Sequence, residues 1–180
     1  MKPVTFIENV DFYKDLAGRY ATHKRGLFIL TPSGAGKTYY CRKQENKEWI
    51  DGDDLWVEAK AQPDPLEYQW WEKGGEIINQ VEQRCDAITA EAMVRGFWVM
   101  GSVNYAFKPD AIVLPKLDAL MKRIQQREQE GYDGGLKSEH LEQLITHIGI
   151  IRDWRIKYGV PEFETIQEAV DFLTKDLKKL

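Results

Sequence analysis

Thr31-Pro32-Ser33-Gly34-Ala35-Gly36-Lys37-Thr38 follows the apolar run Leu27-Phe28-Ile29-Leu30 and opens into a stretch compatible with a helix. From its second position onward it fits the phosphate-binding pattern G-x-x-x-x-G-K-[ST], in the strand-then-helix setting the pattern requires. The chemistry explains the spacing. Glycines let the chain curl around a phosphate, backbone N–H groups point inward, and a helix N-terminus adds the positive end of its dipole. In such a loop Lys37 reaches the β- and γ-phosphates of a nucleoside triphosphate, and the Thr38 hydroxyl holds Mg²⁺. Thr31 stands where the pattern has glycine. Threonine disfavours positive φ, so the loop entrance is expected to differ from the pattern or to hold strain.

Around this loop the chain reads as one domain. It has 180 residues, 43% hydrophobic and 30% charged, the proportions of an ordinary globular protein. A net charge of −4 argues against broad affinity for polyanions, although a local basic groove is compatible with it. The two cysteines, Cys41 and Cys85, form no metal motif and read as reduced thiols. No apolar run approaches membrane-spanning length and the first residues lack a signal core, so a cytoplasmic protein without a membrane partner is expected. No obligate protein partner is expected either.

Strands alternate with helices along the chain. Phe12, Tyr13, Leu16, Ala17 and Tyr20 recur at helical spacing, which makes residues 1–24 a helical extension packed on a core of residues 25–180. Strands are predicted at residues 27–30, 48–50, 97–100, 111–114 and 160–164. Helices are predicted at 37–44, across about 65–95 with a break at Gly74-Gly75, and on the apolar faces containing Leu120 and Ile124 and then Leu144, Ile148 and Ile151. Thr165 and Glu168 form a capping box for a last helix. This alternation predicts an α/β fold: three layers, a central parallel five-stranded sheet, helices on both faces and a helical lid.

A phosphate loop alone does not fix an activity. The only Asn-Lys pair, Asn46-Lys47, lacks the aspartate that guanine-reading proteins need and lies too early. The strand ending Met100-Gly101-Ser102 lacks the acid expected of motor-type ATPases. More informative is Trp49-Ile50-Asp51-Gly52-Asp53-Asp54. Acids at the carboxyl end of the second strand fall beside the phosphate loop, where open α/β sheets bind ligands. There Asp51 or Asp53 could orient an acceptor hydroxyl, take its proton or hold a Mg²⁺-bound water.

With these residues the chain resembles the small P-loop kinases, a group that includes nucleoside monophosphate, gluconate and shikimate kinases and related phage enzymes. The matching stretches are residues 32–38, Asp51-Gly52-Asp53-Asp54, and Asp110-Ala111-Ile112-Val113-Leu114 followed by Arg123 and Arg127. Arg152, Arg155 and Tyr158 resemble the family's helix after the lid. The resemblance implies ATP and Mg²⁺ as cofactors. Ser33, Gly34, Ala35, Gly36, Lys37 and Thr38, with Arg123, would hold ATP. Thr38 and Asp53 would hold the metal, and Lys37, Asp51, Asp53 and Arg127 would be catalytic, with Lys137 and Arg155 as further sources of positive charge. It also implies an acceptor region at about 55–95 and a lid at about 127–138, hinged by Gly131, Gly134 and Gly135.

The acceptor is read from the aromatics. Trp56, Tyr68, Trp70 and Trp71, with Trp49 and Trp98 nearby, favour a base-containing acceptor, since bases stack on flat rings. Trp98 and Trp154 are expected to be packing residues. Lys60, Lys73, Arg84 and Arg95 are candidates for an acceptor anion. The expected acceptor is a nucleotide. The alternatives are a hydroxyl in nucleic acid, such as a hydroxymethylpyrimidine, and a small metabolite. Gly52-Asp53-Asp54-Leu55 looks like a gluconate kinase segment, but Trp56 stands where that family has histidine. The non-enzyme alternative is a switch module that binds ATP.

Overall fold

The computed structural model describes residues 10–132 and 135–175. Five parallel strands form one sheet in the order β2-β3-β1-β4-β5. They are β1 (Leu27–Leu30), β2 (Trp49–Asp51), β3 (Trp98–Gly101), β4 (Ala111–Val113) and β5 (Glu162–Phe163). The four-residue run in the middle of the sheet is buried throughout, as strands covered on both faces require.

Side-chain alternation sorts the helices. Phe28, Leu30, Ile50, Val99 and Ile112 point to one face. There they meet α1 (Val10–Arg19), α3 (Gly52–Glu58), α4 (Gly75–Val94) and α6 (Leu141–Tyr158) through residues such as Leu16, Trp56, Ile88 and Ile151. Leu27, Ile29, Trp49, Trp98, Met100 and Val113 point to the other face. That face is covered by α2 (Lys37–Lys43) and α7 (Ile166–Thr174). A period of two along each strand therefore builds two separate cores. A third cluster of Ala35, Leu120, Ile124 and Leu144 ties the phosphate loop to α5 (Leu117–Gln129) and α6.

Most expected elements form, with ends shifted by a residue or two. The helix expected across about 65–95 forms only from Gly75: residues 61–69 are turns and coil followed by a 3-10 turn at Trp70–Glu72, and Gly74, with φ of 100°, precedes the first residue of α4. Helix α3 was not anticipated. Its first turn is Gly52-Asp53-Asp54, which reads as an acidic turn, yet the Asp51 side chain accepts the Asp53 N–H and caps a helix there. The glycine interval after α5 leads into a single 3-10 turn, Ser138–His140. Within it Gly134, expected as a hinge, lies outside the described residues. Residues 1–9 of the expected helical extension do as well.

Two expectations about tryptophans are corrected. Trp49 and Trp56 are fully buried rather than offered to an acceptor. The Trp56 ring lies against Gly52 and Gly101, where an added Cβ would come within 2.8 and 2.2 Å of it. Its indole N–H donates to Thr89 Oγ1 at 3.0 Å. Trp98 is core, as expected. Asp110 sits at the start of β4, at the amino end of the sheet. It accepts the Phe28 N–H at 2.9 Å and pairs with Arg25, so its work is structural.

Candidate active site

All strands are parallel, so the loop after β1, the end of β2 and the end of β3 open on the same edge of the sheet. Gly34 and Gly36 have φ of 84° and 96°, a conformation that other side chains resist. Thr31 has no positive φ. It is buried, and its N–H donates to the Gly101 carbonyl at 2.9 Å, so the loop entrance continues the strand pairing without strain. The loop is braced from behind, because a Cβ on Gly34 would meet Ile124 at 2.9 Å. This curl ends at the N-terminus of α2, where an anion finds both N–H donors and the helix dipole.

Lys37 sits in the centre. Its ammonium is buried, bonded to Asp51 Oδ1 at 2.9 Å and to Asp53 Oδ2. Burial alone would lower its pKa, but Asp53 and Asp51 outweigh that and raise it, so the group is fully charged. The Thr38 hydroxyl donates to Asp51 Oδ2 at 2.5 Å. The carboxylate against Thr38 is thus Asp51, whereas the sequence had paired Thr38 with Asp53 as metal ligands. Asp51 is the last residue of β2 and is buried; Asp53 lies two residues further on, in the first turn of α3, and faces the cleft. Gln62, buried, donates to Asp53 Oδ1 at 3.3 Å and steadies it.

Helix α5 supplies the opposing charge. Arg123 donates to the Ala35 carbonyl at 3.0 Å, and Arg127 donates to the Leu136 carbonyl at 2.6 Å with its guanidinium over the Tyr132 ring. A Cβ on Gly135 would lie 3.4 Å from Ser33 Oγ and 3.5 Å from Arg127, so the segment after α5 folds back over the phosphate loop. His140 fastens that segment to the acceptor region: Nδ1 accepts the Lys137 N–H at 3.0 Å, and Nε2 lies 3.1 Å from Glu72.

A cleft of about 1710 Å³ runs from this loop to α4 and α6. One small-molecule pocket usually occupies about 300–1,000 Å³, so there is room for a nucleotide and an acceptor together. Trp70, Trp71, Ile78 and Glu82 line the far half. Lys60, Lys73, Arg84 and Arg95 do not line the cleft: Arg84 binds the Ala61 carbonyl and Arg95 pairs with Glu91. Arg152, Arg155, Tyr158 and Lys137 are outside it too; Arg155 pairs with Glu162.

The sequence reading missed three groups in the cleft. Gln62 has no local signature. Glu82 is half-buried in α4, and burial followed by the nearby Asp86 pushes its carboxyl up to about 7. His147, on α6, hydrogen-bonds the backbone of Ser102, and burial pulls it down to about 4, so it is neutral near pH 7. Both cysteine thiols are pushed well up by burial, which makes them inert.

The residues fit ATP and Mg²⁺. Thr38 and Asp51 offer one hydroxyl and one carboxylate, the hard oxygen set that Mg²⁺ takes together with phosphate oxygens and water. No group of three or more His, Cys, Asp or Glu side chains among the described residues could hold a metal by itself. No helix there is long and apolar enough to cross a membrane.

No protein-family model matches the chain, and neither does any curated protein sequence. Among solved structures, the chain is similar to a shikimate kinase from Acinetobacter baumannii in complex with shikimate. The two share 18% identity and a TM-score of 0.55, over 86% of this chain and 94% of that one. The likeness is one of fold: a parallel α/β sheet with a glycine loop after β1.

Proposed function

We propose that this protein is a Mg-ATP-dependent phosphotransferase that moves the γ-phosphoryl group to a hydroxyl on a ring-bearing acceptor, such as a nucleobase compound. The observation that carries this reading is the Lys37 ammonium, held between a glycine curl and two carboxylates at the carboxyl edge of the sheet. Bound MgATP would supply the transferable phosphoryl group and a divalent charge. Residues 33–38 would cradle the phosphates, and Thr38 with Asp51 would orient the metal. Lys37, Arg123 and Arg127 would balance the charge of a loose transition state, for which positioning and electrostatics do most of the work. Asp53 faces the cleft and would align the acceptor hydroxyl and receive its proton. Trp70 and Trp71 would stack on the ring.

The test is transfer of label from γ-labelled ATP with Mg²⁺ to a panel of nucleosides, nucleotides, oligonucleotides, sugars and ring alcohols. Asp53→Asn is the informative variant. It should cut turnover about 10²-fold or more while ATP still binds. Lys37→Ala is less clean, because it strands the buried Asp51 carboxylate, a defect costing about 3–5 kcal/mol. Tight ATP binding without transfer to any acceptor would favour the switch module. Unchanged turnover in Asp53→Asn would remove Asp53 from the site.

A further inference from the structure

All lysines and arginines lining the cleft come from two helices beside the phosphate loop: Lys37, Arg42 and Lys43 on α2, and Arg123 and Arg127 on α5. The far half, from α3 through α4 and across to α6, contributes none among the described residues. Its ionisable groups, apart from His147, are acids, including Asp64, Glu142 and Glu82, whose carboxyl burial and Asp86 hold about half protonated near pH 7. Its floor is apolar and aromatic. Trp70 and Trp71 meet edge to face with centroids 5.8 Å apart, beside Ile78 and Val103. The indole N–H groups of both tryptophans are buried and lack a hydrogen-bond partner among the described residues. His147, the remaining group that could carry positive charge in this half, is kept neutral near pH 7 by its half-buried position on α6.

An acceptor bearing a phosphate or carboxylate would enter this half without a counter-ion and against acids of its own sign. Like charges facing one another disfavour binding and so exclude wrong partners. A planar ring without negative charge meets no such barrier and gains stacking on the tryptophans.

We infer that the acceptor of this phosphotransferase is an uncharged or cationic ring alcohol, one that carries neither a phosphate nor a carboxylate of its own. The inference rests on the proposed phosphotransferase activity and narrows its substrate class: among nucleobase compounds it selects a nucleoside over its monophosphate. In the transfer, a bond forms between the acceptor oxygen and the γ-phosphorus as the bond from that phosphorus to the β–γ bridging oxygen breaks. The electron pair leaves with ADP, and the hydroxyl proton passes to the Asp53 carboxylate.

The test varies charge on one scaffold. Tyrosol (neutral), tyramine (cationic) and 4-hydroxyphenylacetate (anionic) are titrated by calorimetry into the full chain with Mg²⁺ and a non-hydrolysable ATP analogue. Thymidine and thymidine 5′-monophosphate form a second pair. The neutral and cationic members should bind about tenfold or more tightly than their anionic partners. Glu82→Gln should narrow that gap, and Glu82→Lys should close or invert it, with circular dichroism confirming that each variant folds. Equal or tighter binding of the anions, or no saturable binding by any neutral or cationic member, overturns the inference. Binding of the ATP analogue and transfer of label are read separately. Loss of those would overturn the phosphotransferase reading, whereas anion preference with transfer intact would overturn only the acceptor class.

Discussion

Asp51 and Asp53 are two residues apart, and their different surroundings divide their work. Asp51 closes a buried square with Lys37, Thr38 and the cap of α3, while Asp53 reaches the cleft with Gln62 behind it. Glu82 shows how a side chain's surroundings become measurable. It titrates ordinarily near 4.5 but in the fold near 7, because burial disfavours its charged form and Asp86 adds repulsion. Folding therefore favours the protonated carboxyl. That contribution is full below about pH 4.5 and is lost as pH rises through about 7. Glu82→Gln should accordingly leave the Tm close to the parent's at pH 5 and raise it at pH 8. Since solvent in the open cleft screens the effect, the rise should be roughly 2–4 °C, the response of a chain this long to about 1 kcal/mol. Thermal melts at both pH values would check it. An equal shift at both would show that Glu82 titrates normally.

At the scale of elements, the contact between α3 and β3 fixes the site. Trp56 fills the space left by Gly101 at the end of β3 and by Gly52 at the start of α3. This seats α3 so that Asp53 lies beside Lys37. Gly101→Ala should destabilise the chain by about 1–3 kcal/mol, because the new methyl has no room beside a rigid indole. Urea denaturation should show a lower midpoint with an unchanged slope. A midpoint equal to the parent's would mean that Trp56 moves aside freely. Helix α5 has a comparable part: Ile124 braces the curl from behind while Arg123 and Arg127 on the same helix face the phosphate side. Packing and charge therefore arrive on one rigid element.

Across the whole molecule, the charge is unevenly placed. The net charge of −4 gives no hint that the cations lining the cleft are gathered on the two helices flanking one loop. That loop, Asp51 and α5 come from three separate parts of the chain, so a ligand spanning them should hold the fold together. A non-hydrolysable ATP analogue with Mg²⁺ at about 100 times its Kd should add about 2.7 kcal/mol of stability. Differential scanning fluorimetry should show a rise of several degrees, mostly removed by EDTA. A Tm indifferent to the analogue would count against nucleotide binding in the cleft.

The sequence by itself determined what local chemistry dictates. A glycine curl between an apolar run and a helix takes the form that suits a phosphate, alternating strands and helices stack as a parallel sheet between layers, and Gly74 marks where a helix begins. Partner choice among side chains far apart in the chain was decided only by the tertiary structure. Strand order places β3 between β1 and β2, so the carboxylate that meets Thr38 depends on how α3 packs, and that packing turns on Trp56. The same distinction separates the tryptophans, since Trp56 and Trp70 are both buried but only Trp70 lines the cleft. Burial and charge pairing belong to the assembled fold, because each depends on which surfaces exclude water together.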